Sequence, residues 1–212
     1  MNMTPIPTQN TALLVVDMQK AFIDNQYSLG QLGLDVTPLQ AAIPGCVSLV
    51  KMARAAGIPV IFTRYVYMPG MVDFGLHRGA KGDERLTNGS LGFGTEEIEV
   101  IDELGVRPDD IVIDKSRPSS FYGTRLEPVL TSMGIRNLVV CGVTTNICVE
   151  TTVRDAGQRD YGTYVVKDAV AEFTPERNHY ALVGMGWSFA EVVETADIAA
   201  AWPADVATQA AE

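Results

Sequence analysis

The sequence is poor in the side chains that most often do chemistry. Its 212 residues include two histidines, His77 and His179, and three cysteines, Cys46, Cys141 and Cys148. Two distant histidines and no Cys-x-x-Cys pair match no recognised zinc spacing, so no metal site is expected. An odd number of cysteines, in a chain too long to need staples, excludes a disulfide scaffold and points to a reducing compartment, the cytoplasm. Basic residues are also scarce: 16 Lys+Arg against 26 Asp+Glu give a net charge of −10. That balance excludes a phosphate-tracking surface, so neither nucleic acid nor an anionic membrane is expected as a partner. No apolar run approaches the roughly 20 residues that span a bilayer. No basic residue precedes Lys20, so no secretory leader is expected.

What is present is apolar and regularly spaced. With 47% hydrophobic residues the chain can build a sizeable core, which excludes bulk disorder. Short β-branched runs recur: Ala12–Val16 ending in Asp17, Ile58–Phe62 ending in Thr63-Arg64, Ile111–Ile113 ending in Asp114-Lys115, Leu138–Cys141 ending in Gly142, Tyr164–Val166 ending in Lys167-Asp168, and a weaker Ala190–Val193. Runs without polar alternation suggest strands buried on both faces, as in a parallel sheet. Between them the pattern predicts helices over Pro44–Ala56, Arg125–Met133, Asn146–Tyr161 and Pro175–Val183, each stopped by a glycine. This alternation predicts one three-layer α/β/α domain over residues 1–212 with right-handed crossovers. Residues 65–95 break the pattern with seven glycines and read as a lid or binding loop, or as a surface excursion with its own short helix. The Ala-rich tail after Trp202 is expected to fray.

In an open α/β sheet, ligands bind beyond the carboxyl ends of the strands. Three reactive side chains fall there: Asp17, Lys115 and Cys148. Thr145 or Asn146 is a good N-cap, which would put Cys148 in a first helical turn, where the dipole and free N–H groups favour a thiolate. A nearby Lys would lower its pKa further, and a carboxylate could take its proton. Singly, each has a bland reading: a turn Asp, a solvated Lys, a packed Cys. Together on one sheet edge they read as a catalytic set. Cys148 and Arg154 have the spacing of a phosphate loop, but the intervening residues contain no glycine and read as helix, so Arg154 is expected on the surface or at an interface.

The stretches that carry these residues resemble the isochorismatase-like cysteine hydrolase family. Val15-Val16-Asp17-Met18-Gln19-Lys20-Ala21-Phe22 is similar to its first motif, Asp114 to Thr124 to its lysine motif, and Cys141 to Glu150 to its nucleophile motif. The resemblance implies a parallel six-stranded sheet in the order 3-2-1-4-5-6 and an Asp17, Lys115, Cys148 triad. It also implies a cis peptide between Val143 and Thr144, with the backbone N–H groups of Thr144 and Cys148 forming an oxyanion hole. In the implied chemistry Asp17 takes the thiol proton, the thiolate attacks a carbonyl, and water resolves the thioester.

Nicotinamidases of the family carry an Asp-x-His metal site after the second strand. Here that stretch is Thr63 to Pro69 without such ligands, so no metal or cofactor is expected. The retained Cys148 favours C–N cleavage over vinyl-ether cleavage. The Ser120–Thr124 and Val143–Thr152 stretches are most similar to the ureidoacrylate, biuret and N-carbamoyl amidohydrolase branches, which implies a small ureido or carboxamide substrate. Phe22, Phe121 and Tyr122 are expected to wall the pocket, with core packing as the competing reading. Tyr65 and Trp187 are further candidates. Arg64 could hold a substrate carboxylate or pair with the acidic surface. The resemblance also implies a homo-oligomer, a dimer or tetramer. The competing readings are an isochorismatase or plain carboxamide hydrolase, a thiol redox sensor built on Cys148, and a non-catalytic small-molecule-binding protein.

Overall fold

The computed structural model describes residues 6–76 and 81–202. His77 and the tail beyond Trp202 therefore lie outside the described residues. Six strands form one sheet: β1 (Thr11–Val16), β2 (Val60–Tyr65), β3 (Ile111–Lys115), β4 (Asn137–Val143), β5 (Gly162–Ala171) and β6 (Glu191–Val193). Their order is β3-β2-β1-β4-β5-β6, and every neighbouring pair is parallel. Every residue of β1 is buried, as an apolar run without alternation requires when both sheet faces are covered.

The helices are α1 (Lys20–Ile23), α2 (Ser28–Gln31), α3 (Ile43–Ala55), α4 (Gly82–Asn88), α5 (Leu126–Ser132), α6 (Glu150–Gln158), α7 (Pro175–Ser188) and α8 (Thr195–Ala201). From β1 to β2 the chain moves one way across the sheet, and from β4 to β5 the other way. Right-handed crossovers then place α3 and α6 on opposite faces, which makes the three layers. The direction reverses between β1 and β4, so the crevice at their carboxyl ends is the topological switch point.

Two local expectations need correction. Helix α7 does not stop at Gly184 but runs on to Ser188, because its buried residues Ala181 and Met185 straddle the glycine and packing outweighs propensity. Strand β5 does not end at Lys167-Asp168 but continues to Ala171. Both polar residues point outward and are held there, Lys167 by Glu194 at 2.7 Å and Asp168 by Thr195. Residues 65–95, among those described, carry the short helix that one of the two readings allowed. They contain a short 3-10 turn at Pro69–Met71 and helix α4. Their two ends are stitched by Tyr67 N–H to Leu91 O at 2.9 Å and Phe93 N–H to Tyr67 O at 2.8 Å.

Candidate active site

Asp17 follows β1 in a left-handed conformation, φ 50°, which turns its side chain back over the sheet edge. Thr63 of β2 holds it there: the hydroxyl donates to Asp17 Oδ1 at 2.7 Å, and the Asp17 N–H donates to Thr63 Oγ1 at 3.2 Å. The second carboxylate oxygen faces a different partner. Lys115 Nζ lies 2.6 Å from Asp17 Oδ2, and neither side chain is exposed. Apart from this ion-pair contact, Oδ2 has no hydrogen bond among the described residues. Lys115 ends β3, two strands from β1, roughly 10 Å at ordinary strand spacing. Only a long side chain bridges that gap. It passes over the Tyr65 ring, 4.3 Å from the centroid, and its ammonium also donates to Arg117 O at 3.2 Å.

Cys148 completes the group. It follows β4 in the π-helical turn Thr145–Val149 that leads into α6. The expected side-chain cap from Thr145 or Asn146 is absent from this turn. Instead the carboxylate of Glu172, just past β5, accepts from Asn146 N–H at 3.1 Å and from Phe173 N–H at 2.9 Å. The Val143–Thr144 peptide bond that opens the turn is cis.

The electrostatics also depart from the local expectation of a thiolate. Burial pushes the Cys148 thiol up to about 12; Lys115 opposes that shift and Asp17 adds to it. For Lys115, burial acts to lower the pKa, but the facing Asp17, with the hydrogen bond to the Cys148 sulfur, outweighs it and holds the ammonium above its ordinary range. The resting arrangement is therefore a protonated thiol beside an ammonium–carboxylate pair. Its low-dielectric surroundings favour paired charges over a lone one.

Of the three, Cys148 opens onto a cavity of about 610 Å³, while Asp17 and Lys115 are buried and do not line it; the walls are Phe22, Leu29, Leu34, Pro118, Ile147 and Phe173 on the apolar side and Asp35, Tyr65, Arg85, Thr144, Cys148 and Arg177 on the polar side. Among the expected wall residues, Phe22 lines it and Phe121, Tyr122, Arg64 and Trp187 do not. Phe121 is buried elsewhere, packed against Tyr161 at 5.8 Å between ring centroids. Tyr122 is 67% exposed and Trp187 86% exposed. Arg64 is spent on the surface, 2.8 Å from Asp114 and 2.9 Å from Glu99, because it alternates with Tyr65 and points away from the cavity. Arg154 pairs with Glu150 at 2.6 Å on the helix surface, outside the cavity lining.

Several residues of the site escaped the sequence reading. Arg85 comes from α4, Phe173 from the bend before α7 and Arg177 from its first turn, long-range neighbours with no local signal. Gln19 had a signal, the Asp-x-Gln motif, but no assigned task. Its amide donates to Tyr65 O and Ile98 O and accepts from Tyr65 N–H, which fixes the end of β2 under the site. Cys46 and Cys141 are buried and unpaired. Among the described residues no cluster of three or more His, Cys, Asp or Glu side chains could hold a metal ion. No described helix is long and apolar enough to cross a membrane.

Comparison with known proteins places this arrangement. Residues 11–197 match the family described as the isochorismatase domain. The chain is 34% identical over 182 residues to the ureidoacrylate amidohydrolase RutB of Azorhizobium caulinodans, covering 81% of this chain and 80% of that protein. The protein of the same description from Pseudomonas syringae pv. syringae is 37% identical over 177 residues, covering 78% and 72%. Among solved structures, a cysteine hydrolase from Pseudomonas syringae pv. phaseolicola superposes with a TM-score of 0.77 at 29% identity, covering 94% of this chain and 97% of its own. N-carbamoylsarcosine amidase from Thermoplasma acidophilum superposes with a TM-score of 0.65 at 28% identity, covering 87% and 96%.

Proposed function

This chain belongs to the isochorismatase family, and we propose that it is a cysteine-dependent amidohydrolase that cleaves a C–N bond of a small ureido or carboxamide substrate. The observation that supports this reading is the grouping of Asp17, Lys115 and Cys148, with Cys148 in the wall of a mostly apolar cavity. Its amidohydrolase relatives support the C–N chemistry.

The mechanism follows from the resting charges. The Cys148 thiol is held protonated, so it needs a base at the moment of attack. Asp17 Oδ2 accepts that proton, and Lys115 stabilises the thiolate that forms. Sulfur bonds to the substrate carbonyl carbon, and the carbonyl electron pair moves to oxygen. The backbone N–H groups of Thr144 and Cys148 hold that oxyanion. Collapse expels ammonia or an amine, which takes the proton back from Asp17. Water, deprotonated by Asp17, then attacks the thioester, and the thiolate leaves and is reprotonated.

The same raised thiol weighs against the redox-sensor reading, because sensor cysteines are accessible and low in pKa, whereas Cys148 is 4% exposed. We further propose, on the family resemblance, that the protein is a homo-oligomer and cytoplasmic, with no cofactor. Light scattering in solution tests the first, and activity after dialysis against EDTA tests the last.

An ammonia-release screen over biuret, 3-ureidoacrylate, N-carbamoyl amino acids, nicotinamide and maleamate tests the activity. Turnover of a ureido compound that disappears in Cys148→Ala is the expected result. A Cys148→Ala variant with wild-type rates would end the covalent reading.

A further inference from the structure

The cavity carries a charge that the chemistry above does not use. Three ionisable side chains line it besides Cys148 and Tyr65: Asp35, Arg85 and Arg177. Two of them are occupied. Asp35 accepts from the Asn25 amide at 2.9 Å and the Thr37 N–H at 3.0 Å. Arg177 donates to Asn146 Oδ1 at 2.9 Å and lies 3.2 Å from Glu172, whose carboxylate is fully buried. Arg85 is different. Arg85 is half-buried, its Nε is fully enclosed without a hydrogen-bond partner, and no hydrogen bond or ion pair of its guanidinium is formed among the described residues.

A buried donor without an acceptor is costly, more so on a charged group. The cost is tolerable where a ligand supplies the acceptor. Arg85 sits on α4, the short helix inside the segment that departs from the strand–helix alternation. That segment therefore brings a cation into a cavity whose other walls are mainly aliphatic and aromatic. In such surroundings a guanidinium selects a planar anion, whose two oxygens match its fork of N–H donors. The Asp17–Lys115 pair is internally neutral and Arg177 is already paired, so Arg85 remains the uncompensated positive charge of the cavity lining.

We propose that Arg85 seats a carboxylate of the substrate. Resting on the amidohydrolase reading above, this assigns to Arg85 the discrimination between ureido or carbamoyl acids, the class to which the relatives' ureidoacrylate belongs, and neutral ureas and amides. Arg85 is then a specificity-determining residue that contacts the substrate away from the reacting carbonyl.

The test compares each acid with its own neutral ester, so that only the carboxylate changes. N-carbamoylglycine, 3-ureidopropionate and their methyl esters are measured by calorimetry against Cys148→Ser protein, which binds without turnover. The acids bind more tightly than the esters, and Arg85→Gln removes about tenfold to a hundredfold of that preference. Arg85→Lys, which keeps the charge, retains part of it. In the active protein the ratio of kcat/KM for acid over ester falls by a similar factor in Arg85→Gln. If no acid binds better than its ester, or if Arg85→Gln weakens acid and ester equally, the proposal is wrong. Arg85-dependent binding of acids by a protein that releases ammonia from none of the screened compounds would instead leave the carboxylate seat standing and remove the amidohydrolase reading.

Discussion

Gly142 of β4 lies so close to Val16 of β1 that a Cβ at position 142 would fall 2.1 Å from the Val16 carbonyl oxygen. The two residues are in register, and Gly142 has φ 112°, a conformation side chains rarely adopt. This approach brings the ends of β1 and β4 together, and with them Asp17 and the turn that bears Cys148. Gly142→Ala must push backbone against backbone. It is expected to lower stability by about 3 kcal/mol and to suppress turnover beyond what the lost stability explains. Urea denaturation beside initial rates measures both, and wild-type stability would mean that the two strand ends can part.

The buried Asp17–Lys115 pair predicts an asymmetry between single and double variants. Lys115→Met leaves the Asp17 carboxylate buried without its counter-charge, at a cost of about 3–5 kcal/mol. Asp17→Leu/Lys115→Met removes both charges and is expected to recover most of that stability while remaining inactive. Denaturation midpoints of the two variants decide this. Equal loss in both would show that the ammonium–carboxylate contact is not the source of the cost.

Thr63 predicts a positioning effect. Thr63→Val keeps the shape of the side chain and removes the hydroxyl that donates to Asp17 Oδ1. A net loss of about 1–2 kcal/mol in stability is expected for one buried bond to a charged group. Since Thr63 faces the base rather than the cavity, kcat should fall with little change in KM, and Thr63→Ser should restore it. A rise in KM at constant kcat would place Thr63 in substrate binding instead.

The raised Cys148 thiol predicts a pH dependence of stability. Its ordinary value is 9.0, and burial lifts it to about 12 in the folded protein. Between those values the folded state holds a proton that the unfolded state has released. The contribution is fully present below about pH 9 and is lost as pH rises towards 12. The difference in urea midpoint between wild type and Cys148→Ala should therefore shift against the wild type over that window. A constant difference from pH 7 to 11 would mean that the thiol is not raised.

The layer architecture and the three candidate positions were legible because both are written in short-range patterns. β-branched runs closed by a polar residue mark strand ends, glycines mark most helix ends, and strand–helix alternation restricts the topology. Asp17, Lys115 and Cys148 could be named because each sits at or just after one of those ends. The walls of the cavity were not legible in that way. Arg64 and Tyr65 are adjacent in β2, and the pleat alone sends one to the surface and the other under Lys115. Phe121 and Tyr122 sit in the lysine motif, but the turn there directs them to the core and to solvent.

By itself, the sequence determined the layer architecture, most of the strand ends and the candidates for the reactive side chains, since these depend on periodicity and neighbouring residues. Only the tertiary structure decided the rest. A first-turn cysteine suggests a thiolate, yet enclosure of the whole site makes the thiol the resting form, because desolvation depends on everything packed around a group. The partner of Lys115 two strands away, the carboxylate of Glu172 under the nucleophile turn and the unpaired Arg85 are products of long-range packing. Each joins residues far apart in the chain, which periodicity and neighbouring residues do not encode.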